Sequence, residues 1–331
     1  MSTRTPTRTA PETPLHDCRR AYAATLTDIA RADERLVIVT NDSIGSSNLG
    51  GFHEELPSRL INVGIAEQNQ VGVAAGLENG GKIPVVSCAG SFLSARATEQ
   101  IKIDAAYSHR HMLLCAQSPG LAYGPLGSTH HSAEDVSIMR SIPEMTVIVP
   151  ADPAETAGAV RWAYSELDGP AYIRISRMKV PALHGEDYVF TPRATVLREG
   201  GVGGEGADLT IIANGVTVHR AVDAADRLAA EGVRARLLSV PVVKPLDEDA
   251  VLAAARETGR IITVEEGTVK GGLGGAVAEL VTERCPVPVR RIGVPDEFAP
   301  TGSEAWLMDH WGISADGIIA AARELMAGPA A

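Results

Sequence analysis

Three short segments of the sequence hold residue types that could do chemistry. In Asn62-Val63-Gly64-Ile65-Ala66-Glu67-Gln68-Asn69 a strand pattern ends and a helical pattern begins, which puts Glu67 in the first helical turn. Ligands of open α/β sheets bind beyond the carboxyl ends of strands, so a carboxyl here can act as acid or base on one. It can equally do no more than complement the helix macrodipole. Ser91-Phe92-Leu93 follows the VVSCAG strand pattern, and Phe92 is one of only four phenylalanines. An aromatic at a strand end offers a flat wall to a ligand ring or packs into the core. The third segment, GLAYGPLGSTHH, is a glycine-rich loop from Gly120 that ends in His130-His131. Adjacent histidines point in different directions and no third ligand lies nearby in sequence, so the pair is not metal spacing. Hydrogen bonding, proton transfer or a plain surface position remain open for it.

Such groups need a frame. Residues 17–31 put Tyr22, Leu26, Ile29 and Ala30 on one helical stripe. LVIVT at 36–40 is an unbroken apolar run of the kind buried on both faces of a parallel sheet. Further strands are expected at 59–63, 82–89, 111–117, 146–151 and 170–176, separated by helical patterns at 66–80, 94–107, 132–141 and 153–167. A second series places strands at 209–215, 234–240, 260–266 and 287–294, with helices at 217–231, 247–258 and 271–283. This alternation predicts an α/β fold of two domains, each with a mostly parallel sheet flanked by helices. The expected organisation is a flexible tail at 1–15, a first domain at 16–183, a linker at 184–194 and a second domain at 195–328. Five glycines within 200–207 read as a turn inside the second unit.

Composition narrows the function. Apolar residues make up 45% and charged residues 21%, a normal globular balance that excludes disorder and coiled coils. A net charge of −11 with no basic run argues against nucleic acid or an anionic membrane surface as partner. No apolar stretch reaches the roughly 18 residues needed to span a bilayer. Cys18, Cys88, Cys115 and Cys285 are scattered without a C-x-x-C, so a disulfide framework or zinc site is not expected. The expected location is cytoplasmic.

Taken in order, INVGIAEQN, AGSFL, GSTHHSAEDVSIMRSIPEMTVIVPADPAET and GPAYIRISR resemble the transketolase superfamily of thiamine diphosphate enzymes. The likeness runs through 16–182 as a pyrimidine-binding (Pyr) domain. IIANG, EEGTVKGGLGGAV and RIGVPDEF carry it through 195–325 as the transketolase C-terminal domain. The resemblance implies thiamine diphosphate as cofactor, with Glu67 of the GI-x-E motif hydrogen-bonded to N1′ of the aminopyrimidine. An aspartate would be too short for that reach. Phe92 matches the aromatic that stacks on the aminopyrimidine, and Asp42 an acid near the thiazolium side. His130 matches the histidine of the G-x-TH motif, which contacts substrate oxygens and can relay protons. Arg177 matches a phosphate-clamping arginine and Arg19 a second one. Glu67 and His130 are thereby the catalytic candidates.

Departures from the family pattern bear on the substrate. Ala95 stands where a second aromatic is usual. Leu126, in GPLG, stands where the family's hydroxyl-binding acid would be, and Ser118 where a phosphate-binding histidine is expected. The carbanion chemistry needs neither residue, whereas recognition of a phosphorylated polyol does. A weaker use of ordinary sugar phosphates is therefore expected, with ketose donors and aldehyde acceptors still the substrate class.

The family also uses a diphosphate-binding (PP) domain with a GDG motif for Mg²⁺ or Ca²⁺, and this sequence has no GDG. The implied reading is the Pyr plus C-terminal subunit of a split transketolase. It would self-associate and join a separate PP-domain subunit, as an α2β2 heterotetramer, with the metal on the partner and no metal ligands here. The alternatives are the β chain of a 2-oxo acid dehydrogenase decarboxylase, or a non-catalytic partner subunit of the same fold. Deoxyxylulose phosphate synthase shares GIAEQ but carries its PP domain on the same chain.

Overall fold

A computed structural model describes residues 14–185, 187–201 and 206–328. Of the expected tail at 1–15, all but the last two residues lie outside the described residues, as do positions 202–205 of the glycine-rich turn. Leu15 already belongs to a strand.

The first half contains β1 (Leu15–Asp17), β2 (Leu36–Thr40), β3 (Leu60–Asn62), β4 (Ile83–Ala89), β5 (Leu113–Gln117), β6 (Thr146–Ile148), β7 (Ala171–Ile175) and β8 (Lys179–Pro181). The second contains β9 (Thr195–Arg198), β10 (Leu209–Ala213), β11 (Ala235–Ser239), β12 (Val242–Lys244), β13 (Ile261–Thr268) and β14 (Val289–Val294). The larger sheet has the order β12-β6-β7-β5-β4-β2-β3 and is parallel except where β12 joins β6. The smaller has the order β14-β13-β10-β11-β9, parallel except for β9. β1 and β8 form a separate antiparallel pair.

Every residue of β2, β4, β5 and β7 is buried, as the apolar runs require of strands covered on both faces. Helices Cys18–Ala32 and Pro153–Ser165 cover one face of the larger sheet, around Tyr22, Leu26 and Val160. On the other face one apolar cluster runs from Val86, Leu93 and Met139 to Ile212, Leu238 and Val251, so the two sheets share a core. The chain steps from β2 outward to β3 and then back past β2 to β4. The crevice at the carboxyl ends of β2 and β4 is therefore a topological switch point, where α/β sheets bind ligands.

β1, β8 and β9 are strands beyond the expected set, and three further features differ from expectation. Val242–Lys244 leaves the second half and pairs with β6 at the edge of the first sheet. Three residues between Pro241 and Pro245 give no strand pattern to read. The helix expected from 94 starts at Gly90, directly after β4, and is broken into Gly90–Arg96, Thr98–Gln100 and a wider-wound stretch Ile101–Tyr107. Helices Gly50–Glu55, Glu304–His310 and Ala315–Ala327 add to the expected set. No helix among the described residues is long and apolar enough to cross a membrane.

Candidate active site

Asn41, Glu67, Phe92 and Arg96 meet beyond the ends of β2, β3 and β4. Asn62, the last residue of β3, ties two strand ends together: its Oδ1 accepts from the amides of Asp42 (3.0 Å) and Gly64 (2.9 Å). Gly64 then turns with a φ of 74°, where a side chain would be strained, and the helix begins at Glu67 itself. Glu67 is only 4% exposed. Its Oε1 accepts from Asn41 Nδ2 at 3.0 Å and from Arg96 Nη1 at 3.1 Å. Oε2 accepts nothing from the described residues. Phe92 and Arg96 lie one helical turn apart, and the Arg96 guanidinium sits 4.1 Å from the centre of the Phe92 ring. A cavity of about 490 Å³ opens here, lined by Ile65, Glu67, Asn69 and Arg96 among others. Asn41 Oδ1 and Ser91 Oγ are buried with no partner among the described residues.

A second group of the candidate residues is set by the loop after β5. Gly120, with φ 60°, bridges to Ser132 and closes the loop at its base. Its amide donates to Ser132 Oγ at 2.9 Å. The adjacent histidines separate. His131 is buried, and burial holds it below the ordinary histidine range, hence neutral. His130 lies edge-on between Phe92 (5.3 Å between ring centres) and Tyr123 (5.9 Å), with Nδ1 3.0 Å from Thr129 Oγ1. The Arg177 guanidinium sits 5.2 Å from the centre of the Tyr123 ring. Phe92, His130, Tyr123 and Arg177 thus form one continuous row of ring contacts, edge to face at His130. Beyond it Arg177 lines an interdomain cavity of about 360 Å³ with Lys179, His219, Arg220 and Glu304.

Glu67, Phe92 and His130 are therefore brought together, and Arg177 reaches them through Tyr123. Asp42 is exposed in a left-handed conformation (φ 62°) next to Asn41. Ser118 sits fully buried at the end of β5 with a φ of 51°, and its Oγ has no partner among the described residues. Leu126 is 53% exposed on the turn Gly124–Leu126. Arg19 pairs with Asp17 at 2.5 Å and donates to the Ser46 carbonyl at 2.7 Å. Burial opposes ionisation of Asp17, yet the hydrogen bonds and charge of Arg19, with some help from Arg177, hold its carboxyl below the usual range. Both arginines therefore act on the Asp17 carboxyl.

Asn41, Arg96, Tyr123 and Gln117 escaped sequence reasoning. The spacing of Phe92 and Arg96, i and i+4 on one helix, was the available signal for Arg96. Gln117 is fully buried at the end of β5 with both amide atoms unpartnered among the described residues, which only three-dimensional packing reveals.

The family models for the "Transketolase, pyrimidine binding domain" and the "Transketolase, C-terminal domain" match residues 16–182 and 199–318. The chain belongs to the transketolase family. A subunit of an apulose-4-phosphate transketolase from Phocaeicola vulgatus is 41% identical, over 93% of this chain and 97% of the relative. A 6-deoxy-6-sulfo-D-fructose transketolase subunit from Clostridium sp. (strain MSTE9) is also 41% identical, over 94% of each. A 1-deoxy-D-xylulose-5-phosphate synthase from Heliobacterium modesticaldum is 38% identical over 92% of this chain but only 46% of its own length. Among solved structures, a split gene transketolase described as an inactive beta4 tetramer superposes with a TM-score of 0.84 at 37% identity, over 96% of this chain and 99% of that one. The chain is thus a transketolase-like subunit with the fold of a split transketolase.

Proposed function

We propose that this chain supplies the pyrimidine-facing half of a thiamine diphosphate site. With a separate diphosphate-binding subunit, it transfers a two-carbon ketol unit from a ketose donor to an aldehyde acceptor. The observation that carries this reading is Glu67: buried, one oxygen tied to Asn41 and Arg96, the other free, beside an aromatic ring and a cavity. An aminopyrimidine fits that donor set, since it offers a ring nitrogen for the free oxygen and a flat face for Phe92. The orphaned Asn41 Oδ1 is a further acceptor for such a ring. Thiamine diphosphate, when bound, supplies a nucleophilic carbon and an electron sink for breaking and forming carbon–carbon bonds.

This chain's own residues do the rest. Glu67 holds a proton at the ring's N1′ through Oε2, while Asn41 and Arg96 stop the carboxyl from rotating. Phe92 would provide the stacking wall, and Asp42 would be the acid nearer the thiazolium. His130, aligned by Phe92 and Tyr123, hydrogen-bonds substrate oxygens and moves protons there. Arg177 takes an anionic end of the substrate, with Arg19 behind it. Mg²⁺ or Ca²⁺ belongs to the partner subunit, and the assembly is an α2β2 heterotetramer. The relatives named as subunits, and the neighbour named an inactive beta4 tetramer, support a need for that partner.

Leu126 and Ser118 set the donor. A site built to hydrogen-bond a hydroxyl discriminates because an unsatisfied buried polar group is costly, and leucine gives that up. The relatives' names carry apulose 4-phosphate and 6-deoxy-6-sulfo-D-fructose, which supports a donor other than xylulose 5-phosphate that still carries an anion. The test is a donor panel on the complex reconstituted with its partner subunit. We expect ketol transfer without any lipoyl protein, poorer use of ordinary pentose and hexose phosphates than of another ketol donor, and partial recovery of that use in Leu126→Asp. A wide preference for xylulose 5-phosphate would overturn the donor reading, and acyl transfer to a lipoyl protein would overturn the reaction.

A further inference from the structure

The loop that carries His130 is held from behind by the second domain. Leu121 N–H donates to Glu266 Oε1 at 2.5 Å, from the carboxyl end of β13. Gly302 N–H donates to the Gly124 carbonyl at 3.3 Å, and Ser128 Oγ donates to the Ala299 carbonyl at 2.6 Å. Next to the loop's base, Thr268 N–H donates to the Ala133 carbonyl at 2.8 Å. These contacts are close enough to dictate residue type. A Cβ on Gly120 would collide with the Glu266 carboxyl, one on Gly124 with the Gly302 carbonyl, and one on Gly127 would lie 2.9 Å from Thr301 Oγ1. The glycines of the loop are thus spaced to admit the second domain. Glu266 is itself fixed, because its carbonyl accepts from Arg174 Nη1 at 2.9 Å, and Arg174 is paired with the buried Asp135 at 2.9 Å. Tyr123, two residues after the Leu121 anchor, is the ring against which His130 stands.

We propose that Glu266 is a positioning residue for substrate binding: through Leu121 and Tyr123 it fixes the His130 loop, so the C-terminal domain is the brace of the substrate site. This rests on the reading of His130 as a substrate contact. The brace acts on loop order rather than on the Glu67 carboxyl, since among the described residues Glu67 bonds Asn41 and Arg96 while Glu266 Oε1 bonds Leu121.

Two replacements separate positioning from bulk stability. Glu266→Gln keeps an oxygen that accepts from Leu121 N–H, whereas Glu266→Met removes it. Amide hydrogen exchange of the full chain, followed by mass spectrometry, reads the brace directly. Exchange across 120–131 rises about tenfold in Glu266→Met, the scale of one lost buried hydrogen bond, and stays at the wild-type rate in Glu266→Gln. In the reconstituted complex the donor KM rises about tenfold in Glu266→Met, with kcat and cofactor Kd within about twofold, and Glu266→Gln restores KM. Ser128→Ala breaks a second tie without touching Glu266 and raises loop exchange by a smaller factor; it carries the test if Glu266→Met does not fold. Wild-type loop exchange in Glu266→Met or Ser128→Ala, or identical behaviour of the Met and Gln variants, overturns the proposal. Exchange needs no substrate, so absence of ketol transfer by the wild-type complex would sink the reading of the site without deciding the brace.

Discussion

Glu67 and Glu266 are buried to nearly the same degree, 4% and 3% exposed, at the carboxyl ends of two different sheets, yet their surroundings differ in kind. Glu67 has one oxygen clamped by an amide and a guanidinium while the other looks into a cavity. Glu266 is closed in. Burial pushes its carboxyl up to about 7, against the pull of Arg174 and the Leu121 amide, and Asp135 and Glu304 add to the rise. Its neighbour Glu265 is likewise raised to about 7 by burial, although the amides of Leu273 and Gly274 both donate to it. On the proposed reading, a carboxyl with a free oxygen at a switch point is kept for a ligand. One whose oxygen is given to a backbone amide in another domain is kept for shape.

The largest effect that would break this contrast is at the ligand carboxyl. Glu67→Gln should leave assembly intact and lower turnover of the reconstituted complex by about 10²–10⁴, the scale of a lost acid–base contact. Turnover near wild type at saturating cofactor would mean that another group holds the ring proton. On the architectural side, Arg174→Met strands the buried Asp135 with only Tyr172 OH and the Val136 amide. Breaking such a pair should cost about 3–5 kcal/mol in denaturant unfolding, and a cost below about 1 kcal/mol would remove the network from the account.

The smallest effect concerns pH. A carboxyl raised from 4.5 to about 7 binds more protons folded than unfolded between those values. Its contribution to stability is therefore full below about 4.5 and is lost as pH rises through 7. Glu266→Gln does not suffer that loss, so its Tm relative to wild type should increase by about 2–4 °C between pH 6 and pH 8. A difference that stays constant across the range would show that Glu266 does not titrate there.

Much of the frame was legible because strands buried on both faces leave unbroken apolar runs such as LVIVT and IPVVSCA. β12 was not, since three residues between prolines acquire strand geometry only by meeting the edge of the other domain's sheet. Glu67, Phe92 and His130 could be singled out from motif and position. Their supporting residues could not: Asn41 and Arg96 are ordinary types in ordinary patterns, and what marks them is the Glu67 carboxyl that reaches them from the first turn of the helix after β3. Glu266 is further still from sequence logic, because its partner Leu121 lies 145 residues away. Arg19 matches a substrate clamp by motif, and its contacts with Asp17 and the Ser46 carbonyl could be read only from the fold.

The central claim is that this chain holds half of a cofactor site, its open carboxyl waiting for a ring whose diphosphate is bound by another subunit. Calorimetric titration of thiamine diphosphate with Mg²⁺ tests it most directly, first into the purified chain and then into its complex with the diphosphate-binding subunit. The account predicts weak binding by the chain alone and tight binding, one cofactor per chain, in the complex. Tight stoichiometric binding by the chain alone would contradict it.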